Sequence, residues 1–354
     1  MRTEDLDFTL PEELIARHPA ARRAESRLLV VRGAARIEHR QFGELPELLV
    51  PGDLLVLNDT RVVPARLALA KSTGGAVEGL WLEEIGGGLA RLMLSGGRLR
   101  AGLALSAASG GRLILEEKVA PGEWTARLDQ PAGGSWLAWL ARHGATPLPP
   151  YIRRLRAAAG EADDSAEDRA RYQTLWAAAA GSVAAPTASL HFDDAVLARV
   201  AQRGVAIACL TLHVGRGTFL PVTAPVLAEH RMHPESFTVS PGLERALADC
   251  RARGGRVVAA GTTVCRALEA QARGERGSTR LLIAPGHEWR TVDALLTNFH
   301  TPRSTLLALV AAFAERTGAA DGLAAVKAVY AEAVARRYRF YSFGDASFWL
   351  PSST

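Results

Sequence analysis

The sequence has few of the residues that mark secreted, metal-binding or membrane proteins. Its three cysteines, Cys209, Cys250 and Cys265, have an odd count and no paired spacing, which predicts neither disulfides nor zinc and favours a reducing compartment. The longest apolar run, Leu306 to Ala314, is far shorter than the ~20 residues that span a bilayer. The first seven residues have no apolar core, so we expect no secretory signal, no membrane partner and a cytoplasmic protein.

Lysine is also scarce. Only Lys71, Lys118 and Lys327 are present, so nearly all of the positive charge is arginine. The formal net charge of +5 permits an anionic partner such as a nucleic acid without establishing one. A 48% hydrophobic content nevertheless predicts a globular protein with a substantial core.

Several motifs of common enzymes are missing. The sequence has no phosphate-binding Walker loop, no metalloprotease helix and no Gly-x-Ser-x-Gly turn. No glycine-rich dinucleotide fingerprint follows the first predicted strand, which argues against an ordinary Rossmann dehydrogenase or methyltransferase. His230 and His233 have a spacing that could hold a metal ion, but no third ligand stands nearby in the sequence.

Glycine pairs divide one part of the chain into short segments. Between residues 66 and 148, runs such as Ala90–Leu94 and Arg112–Glu116 alternate apolar and polar residues and are separated by glycine turns. This pattern is typical of a small antiparallel β-barrel or sandwich. We therefore predict an inserted β-barrel domain at 66–148 within an α/β catalytic domain formed by 1–65 and 149–354.

The rest of the chain alternates predicted helices and strands. Asp193 and Gly204 should begin and end a helix, and an apolar strand follows it to Leu212. Ser240 and Ser304 should each cap a later helix. Further strands are predicted at Arg256–Ala260, Arg280–Ala284 and Val292–Leu296.

Polar residues follow the ends of these predicted strands, where ligands bind in parallel α/β proteins. They are His213, Thr262, Thr263, Asn298, His300 and Asp345. At the end of the strand Leu54–Leu57, the residues Asn58, Asp59 and Arg61 form either a ligand-binding rim or an Asx turn capped by its own side chains. His191 ends a second conspicuous stretch that begins at Val183.

Arginines cluster at one further point of the sequence. Arg153, Arg154 and Arg156 follow Tyr151 and precede a polar run, Gly160 to Asp168, that we expect to be a flexible loop. Such a cluster suits a nucleic-acid backbone, although a solvated surface is equally ordinary.

From end to end, the chain resembles the S-adenosylmethionine:tRNA ribosyltransferase-isomerases of queuosine biosynthesis. The resemblance rests on many short stretches that occur in the same order and spacing. They are Asn58–Leu67, Leu148–Ile152, Tyr172–Thr174, Val183–Phe192, Leu212–Gly215, Gly217–Phe219, Gly261–Thr263 with Arg266, Asn298–His300, Ser304–Leu306 and Tyr338–Ala346. Ser189 and Arg216 depart from the pattern, which has glycine and a small residue at these positions.

The resemblance implies a barrel-like α/β domain with an inserted small antiparallel β-barrel domain, and a cytoplasmic monomer. It also implies the reaction. The ribosyl part of S-adenosylmethionine is transferred to 7-aminomethyl-7-deazaguanine at the tRNA wobble position, giving epoxyqueuosine and releasing adenine and methionine. S-adenosylmethionine is thus consumed as a ribosyl donor, and no metal is expected.

The site roles are likewise implied by that chemistry. Histidine exchanges protons near neutral pH, so His191, His213 and His300 are the acid–base candidates, and the sequence does not rank them. Asp59 or Asp345 could stabilise the sulfonium or polarise a histidine. The substrate-binding residues would be Asn58, Arg61, Thr187, Gly215, Thr262, Thr263, Arg266 and Asn298, with Arg61 and Arg266 suited to the methionine carboxylate. Arg153, Arg154 and Arg156 would bind tRNA.

Two other interpretations remain open from the sequence. One is a tRNA-binding relative without catalysis, suggested by Ser189 and Arg216. The other is a barrel hydrolase with a metal at His230 and His233. Release of adenine from S-adenosylmethionine distinguishes the first from the enzyme, and metal content tests the second.

Overall fold

The computed structural model describes residues 1–33, 36–129, 134–215, 217 and 222–352. The strands are β1 (Arg27–Arg32), β2 (Arg36–Gln41), β3 (Leu54–Asn58), β4 (Thr60–Val62), β5 (Arg66–Lys71), β6 (Ala76–Gly86), β7 (Leu89–Ser95), β8 (Ala104–Ala107), β9 (Arg112–Ala120), β10 (Glu123–Leu128), β11 (Ala179–Ser182), β12 (Ala206–Leu212), β13 (Glu235–Thr238), β14 (Val257–Ala260), β15 (Ser278–Thr279), β16 (Ala294–Asn298) and β17 (Ala346–Leu350). The α-helices are α1 (Leu45–Leu48), α2 (Trp136–His143), α3 (Pro150–Ala158), α4 (Ala166–Arg171), α5 (Asp194–Gln202), α6 (Pro241–Ala252), α7 (Thr262–Ala272), α8 (Thr305–Arg316) and α9 (Gly322–Ala335). Within these residues, no helix is both long enough and apolar enough to cross a bilayer.

Three helices begin at the residues that the sequence predicts as their amino-terminal caps. The carboxylate of Asp193 accepts a hydrogen bond from the backbone nitrogen of Val196 at 2.9 Å, so a side chain caps α5. Gly204 has a φ of +74°, a conformation that costs glycine little, and there the chain turns toward β12. Ser240 and Ser304 cap α6 and α8 in the same way as Asp193 caps α5. These three predicted helices are confirmed.

The largest sheet in the described part of the chain is mixed and has nine strands. Its strand order is β15-β13-β12-β3-β14-β16-β17-β1-β2. Strands β12, β3, β14 and β16 are parallel, whereas β17 runs antiparallel to β16 and parallel to β1. The carboxyl ends of the four parallel strands therefore share one edge with the amino ends of β17 and β1. We call this the strand-end edge; it is marked by Asn58, Leu212, Ala260 and Asn298.

The centre of this sheet is apolar on both faces. Every residue of β3 and of β14 is buried, as expected for parallel strands covered on each side. In the core cluster packed on this sheet, the Phe42 and Phe192 rings meet edge to face with their centroids 4.9 Å apart, and the Trp176 ring lies 5.7 Å from that of Phe192. Full burial of a phenylalanine side chain stabilises the fold by about 1.5–3 kcal/mol. The two phenylalanines thus anchor the segments before α1 and α5 to the sheet.

A closed antiparallel barrel forms from the glycine-rich part of the chain, in the order β10-β7-β6-β5-β8-β9. Its interior holds Trp81 and Trp124, both nearly fully buried, among alternating aliphatic residues. A side chain at Gly79 would place its Cβ 2.9 Å from Cδ2 of Leu94 and 3.3 Å from Cβ of Leu67, so neighbouring side chains would have to shift. The predicted α/β class with an inserted antiparallel β-barrel is therefore confirmed.

The chain divides into two compact units. The larger unit comprises Met1–Thr60, Thr174–Ala178 and Pro186–Thr354, and the smaller comprises Arg61–Gln173 and Ala179–Ala185. The predicted insert at 66–148 lies within the smaller unit. That unit also contains α3 and α4, which the sequence analysis placed in the catalytic domain.

The strand predicted at Arg280–Ala284 is wrong. Strand β15 ends at Thr279, and the following segment has no strand up to β16. Instead, the buried carboxylate of Glu269 accepts hydrogen bonds from the backbone nitrogens of Thr291 and Val292, at 2.8 and 3.0 Å. Within the predicted strand, the backbone nitrogen of Leu281 likewise donates to a side chain, Oγ1 of Thr279, at 3.0 Å, so it does not need a strand partner.

Candidate active site

The three predicted histidines and Asn298 lie at the strand-end edge of the larger unit. His213 directly follows β12, Asn298 ends β16, and His300 lies two residues beyond it. His191 ends a 3-10 helix, Thr187–His191, whose side chains reach β16. The chain therefore brings all three predicted histidines to one edge of one sheet.

His191 has both ring nitrogens in contact with protein groups. Its Nδ1 lies 2.9 Å from Oγ of Ser26, and its Nε2 lies 3.3 Å from the side-chain nitrogen of Asn298. Since an amide nitrogen only donates, Nε2 accepts and the ring proton is on Nδ1. Burial lowers the pKa of His191 to about 4, although the charge of Asp345 opposes this. The ring is therefore neutral at physiological pH.

His213 has one ring nitrogen engaged and one open. Its Nδ1 lies 2.8 Å from Oγ1 of Thr60, and no described residue has a hydrogen bond to its Nε2. Burial lowers the pKa of His213, while the charge of Asp59 raises it. Asp59 is half-buried and accepts a hydrogen bond from Thr211 at 2.6 Å, which places a carboxylate beside this histidine.

His300 is arranged like His213. Its Nε2 lies 2.8 Å from Oγ1 of Thr297, and its backbone nitrogen donates to the hydroxyl of Tyr330 at 2.9 Å. Its Nδ1 has no hydrogen bond from any described residue. Burial lowers the pKa of His300 well below its ordinary value, so the half-buried ring is neutral. A neutral ring with one open nitrogen can take up or deliver a proton.

Asn298 and Ser189 present buried polar atoms without partners. Asn298 is 2% exposed, and its amide donates to Tyr341 O at 3.3 Å, but no described residue contacts its Oδ1. Ser189 is fully buried in the 3-10 helix, and its hydroxyl likewise has no partner among the described residues. Buried polar atoms left unpaired are costly in a protein interior, which is why ligands often complete them.

Helix α7 begins at the same edge. Gly261 has a φ of +108° and no side chain caps the helix, so Thr262 and Thr263 lie in a first turn whose backbone N–H groups point toward the edge. Such N–H groups are hydrogen-bond donors for a polar ligand. Both threonines thus stay among the substrate-binding candidates.

Asn58 makes three hydrogen bonds within the protein through its side chain. It is completely buried, its amide donates to Leu212 O at 3.0 Å, and its Oδ1 accepts from the nitrogens of Thr60 and Leu212 at 3.1 Å each. The side chain therefore fastens the end of β3 to β12. Its predicted contact with substrate stays a prediction, for which only the second N–H of the amide would be open to a ligand.

The carboxylate of Asp345 also has several hydrogen-bond partners within the protein. It lies at the amino end of β17, not after a strand as predicted, and reaches this edge only because β17 is antiparallel to β16. The buried carboxylate accepts from the backbone and side chain of Arg27 and from those of Arg339, at 2.8 to 3.4 Å. Asp345 fixes the turn before β17 and raises the pKa of His191 through its charge, as the predicted polarisation of a histidine requires; its catalytic role stays a prediction.

Arg266 makes a buried ion pair that the sequence did not indicate. One guanidinium nitrogen, Nη1, lies 2.7 Å from Oε2 of Glu235, and the two side chains are 6% and 5% exposed. Oε1 of Glu235 accepts from the backbone nitrogen of Gly215 at 3.4 Å. Glu235 belongs to no motif, so only the pairing of β13 beside β12 could reveal it.

The remaining predicted residues are dispersed. Thr187 is half-buried at the start of its 3-10 helix, and Arg61 is exposed in the smaller unit. Arg216 lies outside the described residues. His233 packs against Gly217, and within the described residues no three His, Cys, Asp or Glu side chains are grouped to hold a metal ion.

Arg156 is not a surface arginine. It is 2% exposed, and its two terminal nitrogens donate to the carboxylate of Asp168 at 2.6 and 2.7 Å. Asp168 lies in α4, which Ser165 caps, so the predicted flexible loop at Gly160–Asp168 is also wrong at its end. A fully buried guanidinium paired in this way cannot contact a phosphate, which removes Arg156 from the predicted tRNA-binding set.

Comparison with known proteins agrees with this architecture. The family model described as "Queuosine biosynthesis protein" matches residues 3–349. Over 98% of both chains, the protein is 51% identical to the S-adenosylmethionine:tRNA ribosyltransferase-isomerase of Anaeromyxobacter sp. strain Fw109-5. The enzyme of the same name from Rubrobacter xylanophilus is 48% identical over 99% of this chain and 98% of its own.

A solved structure is similar along the whole chain as well. The crystal structure of S-adenosylmethionine tRNA ribosyltransferase from Thermotoga maritima is 33% identical, with a TM-score of 0.53, and the match covers 98% of this chain and 100% of that one. Sequence identity at this level over full length, together with the shared fold, leaves one conclusion. The chain belongs to the S-adenosylmethionine:tRNA ribosyltransferase-isomerase family of queuosine biosynthesis proteins.

Proposed function

We propose that the protein transfers and isomerises the ribosyl part of S-adenosylmethionine onto 7-aminomethyl-7-deazaguanine at the wobble position of tRNA. The product is epoxyqueuosine in the tRNA, and adenine and methionine are released. S-adenosylmethionine is consumed in the reaction, and no metal takes part. Family membership over the full length supports the reaction class, and the edge with three neutral histidines is the observation that carries it.

The chemistry requires a base beside the sulfonium and an acid for the departing adenine. His213 and His300 suit these roles, because each ring is neutral and has one nitrogen open among the described residues. His191 has protein partners on both nitrogens, so we assign it the positioning of Asn298. Asp59, beside His213, stabilises positive charge that develops at the edge.

Substrate contacts follow from the unpaired polar atoms. Asn298 Oδ1, the Ser189 hydroxyl and the first turn of α7 at Thr262 and Thr263 offer neutral acceptors and donors. Such groups recognise a nucleoside by hydrogen bonds without requiring charge. We assign them to the nucleoside part of S-adenosylmethionine or to the modified base, with Thr187 and Gly215 beside them.

The reaction itself is the first prediction. With S-adenosylmethionine and tRNA that carries 7-aminomethyl-7-deazaguanine, the protein should form epoxyqueuosine tRNA and release adenine and methionine in equal amounts. Nucleoside mass spectrometry and chromatography of the small products measure this, and a chelator should leave the rate unchanged. Unmodified tRNA is the control. Methylated tRNA with S-adenosylhomocysteine as co-product would refute the proposal.

We further propose that the protein acts as a cytoplasmic monomer. Its three cysteines are free, and burial raises the pKa of the thiols of Cys209, Cys250 and Cys265, so they stay protonated and unreactive. This suits a reducing compartment. Light scattering of the protein in solution would give the oligomeric state.

We propose that Arg154 contributes to tRNA binding, together with Arg153. Arg154 is exposed on α3, whereas Arg153 is half-buried, so the Arg154 guanidinium is the more accessible to solvent. Each neutralised phosphate contributes about 0.7–0.9 to the slope of log affinity against log salt. Arg154→Gln should therefore flatten this slope by about that amount in tRNA binding.

The matched control for Arg154 is Arg127→Gln. Arg127 is a half-exposed arginine on β10 of the same unit, outside the predicted arginine cluster, so its replacement removes the same charge. The control should leave the slope unchanged, and affinity for S-adenosylmethionine should stay within a few-fold in both variants. Identical slopes for wild type and Arg154→Gln would assign Arg154 to the ordinary surface.

A further inference from the structure

Arg266 is buried, and two of its three guanidinium nitrogens have no partner among the described residues. Its Nη1 pairs with Glu235 at 2.7 Å, but its Nε and Nη2 are buried and have no partner among the described residues. The side chain is 6% exposed, so bulk water does not solvate these two nitrogens. Buried N–H donors without acceptors are costly, and more so when they belong to a charged group.

The two unused nitrogens are adjacent. In a guanidinium group, the N–H of Nε and one N–H of Nη2 point in the same direction along one side of the plane. This side matches the two oxygens of a carboxylate or phosphate in a bidentate arrangement. Lysine, with a single ammonium group, cannot reproduce it. The unused side of Arg266 is therefore shaped for one planar anion.

Glu235 fixes the orientation of the Arg266 guanidinium. As the first residue of β13, it lies next to the carboxyl end of β12, because Leu212 pairs with Phe237. One of its carboxylate oxygens binds Arg266 and the other accepts from the backbone nitrogen of Gly215. The same carboxylate thus fixes the guanidinium and the start of the loop after His213. It also neutralises Arg266 while the anion site is empty.

We propose that the Nε and Nη2 side of Arg266 binds the carboxylate of the methionine part of S-adenosylmethionine, and that Glu235 is its positioning residue. The inference rests on the proposed function and adds the residue pair that recognises the amino-acid end of the donor. A tRNA phosphate offers the same bidentate chemistry. The burial of Arg266 favours the small-molecule carboxylate, because a backbone phosphate would have to enter the protein interior.

The test compares S-adenosylmethionine with its analogue that has hydrogen in place of the carboxylate. Adenine release is measured at saturating modified tRNA, and the ratio of the two kcat/KM values is taken for each protein. Wild type should prefer S-adenosylmethionine by about 100-fold, as charge-assisted bidentate recognition allows. Arg266→Lys should lower this preference at least ~10-fold, mainly through the KM for S-adenosylmethionine. Because both substrates are measured on one preparation, a partly unfolded variant does not alter the ratio.

Glu235→Gln provides the second variant. It keeps the size of the side chain but removes the charge that orients Arg266, so the preference should fall in the same direction by a smaller factor. Arg156→Lys is the matched control, since Arg156 is an equally buried arginine whose terminal nitrogens are used by Asp168. The control should retain the wild-type preference even where its stability is reduced.

The outcomes are distinct. A wild-type protein that releases no adenine from S-adenosylmethionine would overturn the proposed function and this inference with it. Normal release with the same preference in wild type and Arg266→Lys would overturn the inference alone. A change in the salt dependence of tRNA binding in Arg266→Lys, with the preference intact, would assign the site to a phosphate and overturn it equally.

Discussion

Replacing His300 by alanine should lower the single-turnover rate of ribosyl transfer at least ~100-fold, the usual contribution of one acid–base group. The neutral ring lies at the strand-end edge, with Nε2 held by Thr297 and Nδ1 open among the described residues. Alanine removes the proton carrier but leaves the backbone hydrogen bond to Tyr330, so the fold should persist. Rapid-quench measurement of adenine formation gives the rate, and circular dichroism checks the fold.

His143→Ala is the matched control for this change. His143 also pairs with a hydroxyl, that of Ser109 at 2.5 Å, and burial also lowers its pKa, but it lies in the smaller unit on α2. Its loss should change the rate by no more than a few-fold. If His300→Ala reacts at near the wild-type rate in a single turnover, His300 has no part in the chemistry and His213 becomes the leading residue.

Replacing Asp168 by alanine should destabilise the smaller unit by about 3–5 kcal/mol, because it removes the carboxylate that pairs with the buried charge of Arg156. The two side chains are 2% and 3% exposed, and Asp168 also accepts a hydrogen bond from Ser165 at 2.8 Å. Because both side chains are buried, water cannot solvate the charge that remains when its partner is removed. Urea unfolding, analysed by linear extrapolation, measures the change.

An exposed pair supplies the control for Asp168. Glu116→Ala removes the partner of Arg127 on the surface of the barrel, where both side chains are more than a third exposed, and should cost less than about 1 kcal/mol. Replacing Arg156 and Asp168 together by apolar residues should recover much of the lost stability, because no buried charge remains. A loss below 1 kcal/mol in Asp168→Ala would show that the pair does not hold α3 and α4 together.

The sequence by itself determined the local elements whose ends have their own chemistry. Asp193, Ser240 and Ser304 begin helices because their side chains satisfy the free N–H groups of the first turn. Gly204 ends one helix because glycine adopts positive φ readily. Glycine turns between alternating runs indicated the antiparallel barrel, and the ends of β12 and β16 placed His213, Asn298 and His300 at one edge of one sheet.

Tertiary structure decided which of the polar residues are free to meet a ligand. Asn58, Asp345 and Arg156 looked like site residues in the sequence, yet other residues of the chain use most of their hydrogen-bonding groups. Arg266 shows the reverse: its partner Glu235 belongs to no motif, and only the buried pair shows which side of the guanidinium is left open. The physical reason is that the sequence specifies the type of each side chain, whereas the hydrogen-bonding groups that remain open depend on contacts formed when the chain folds.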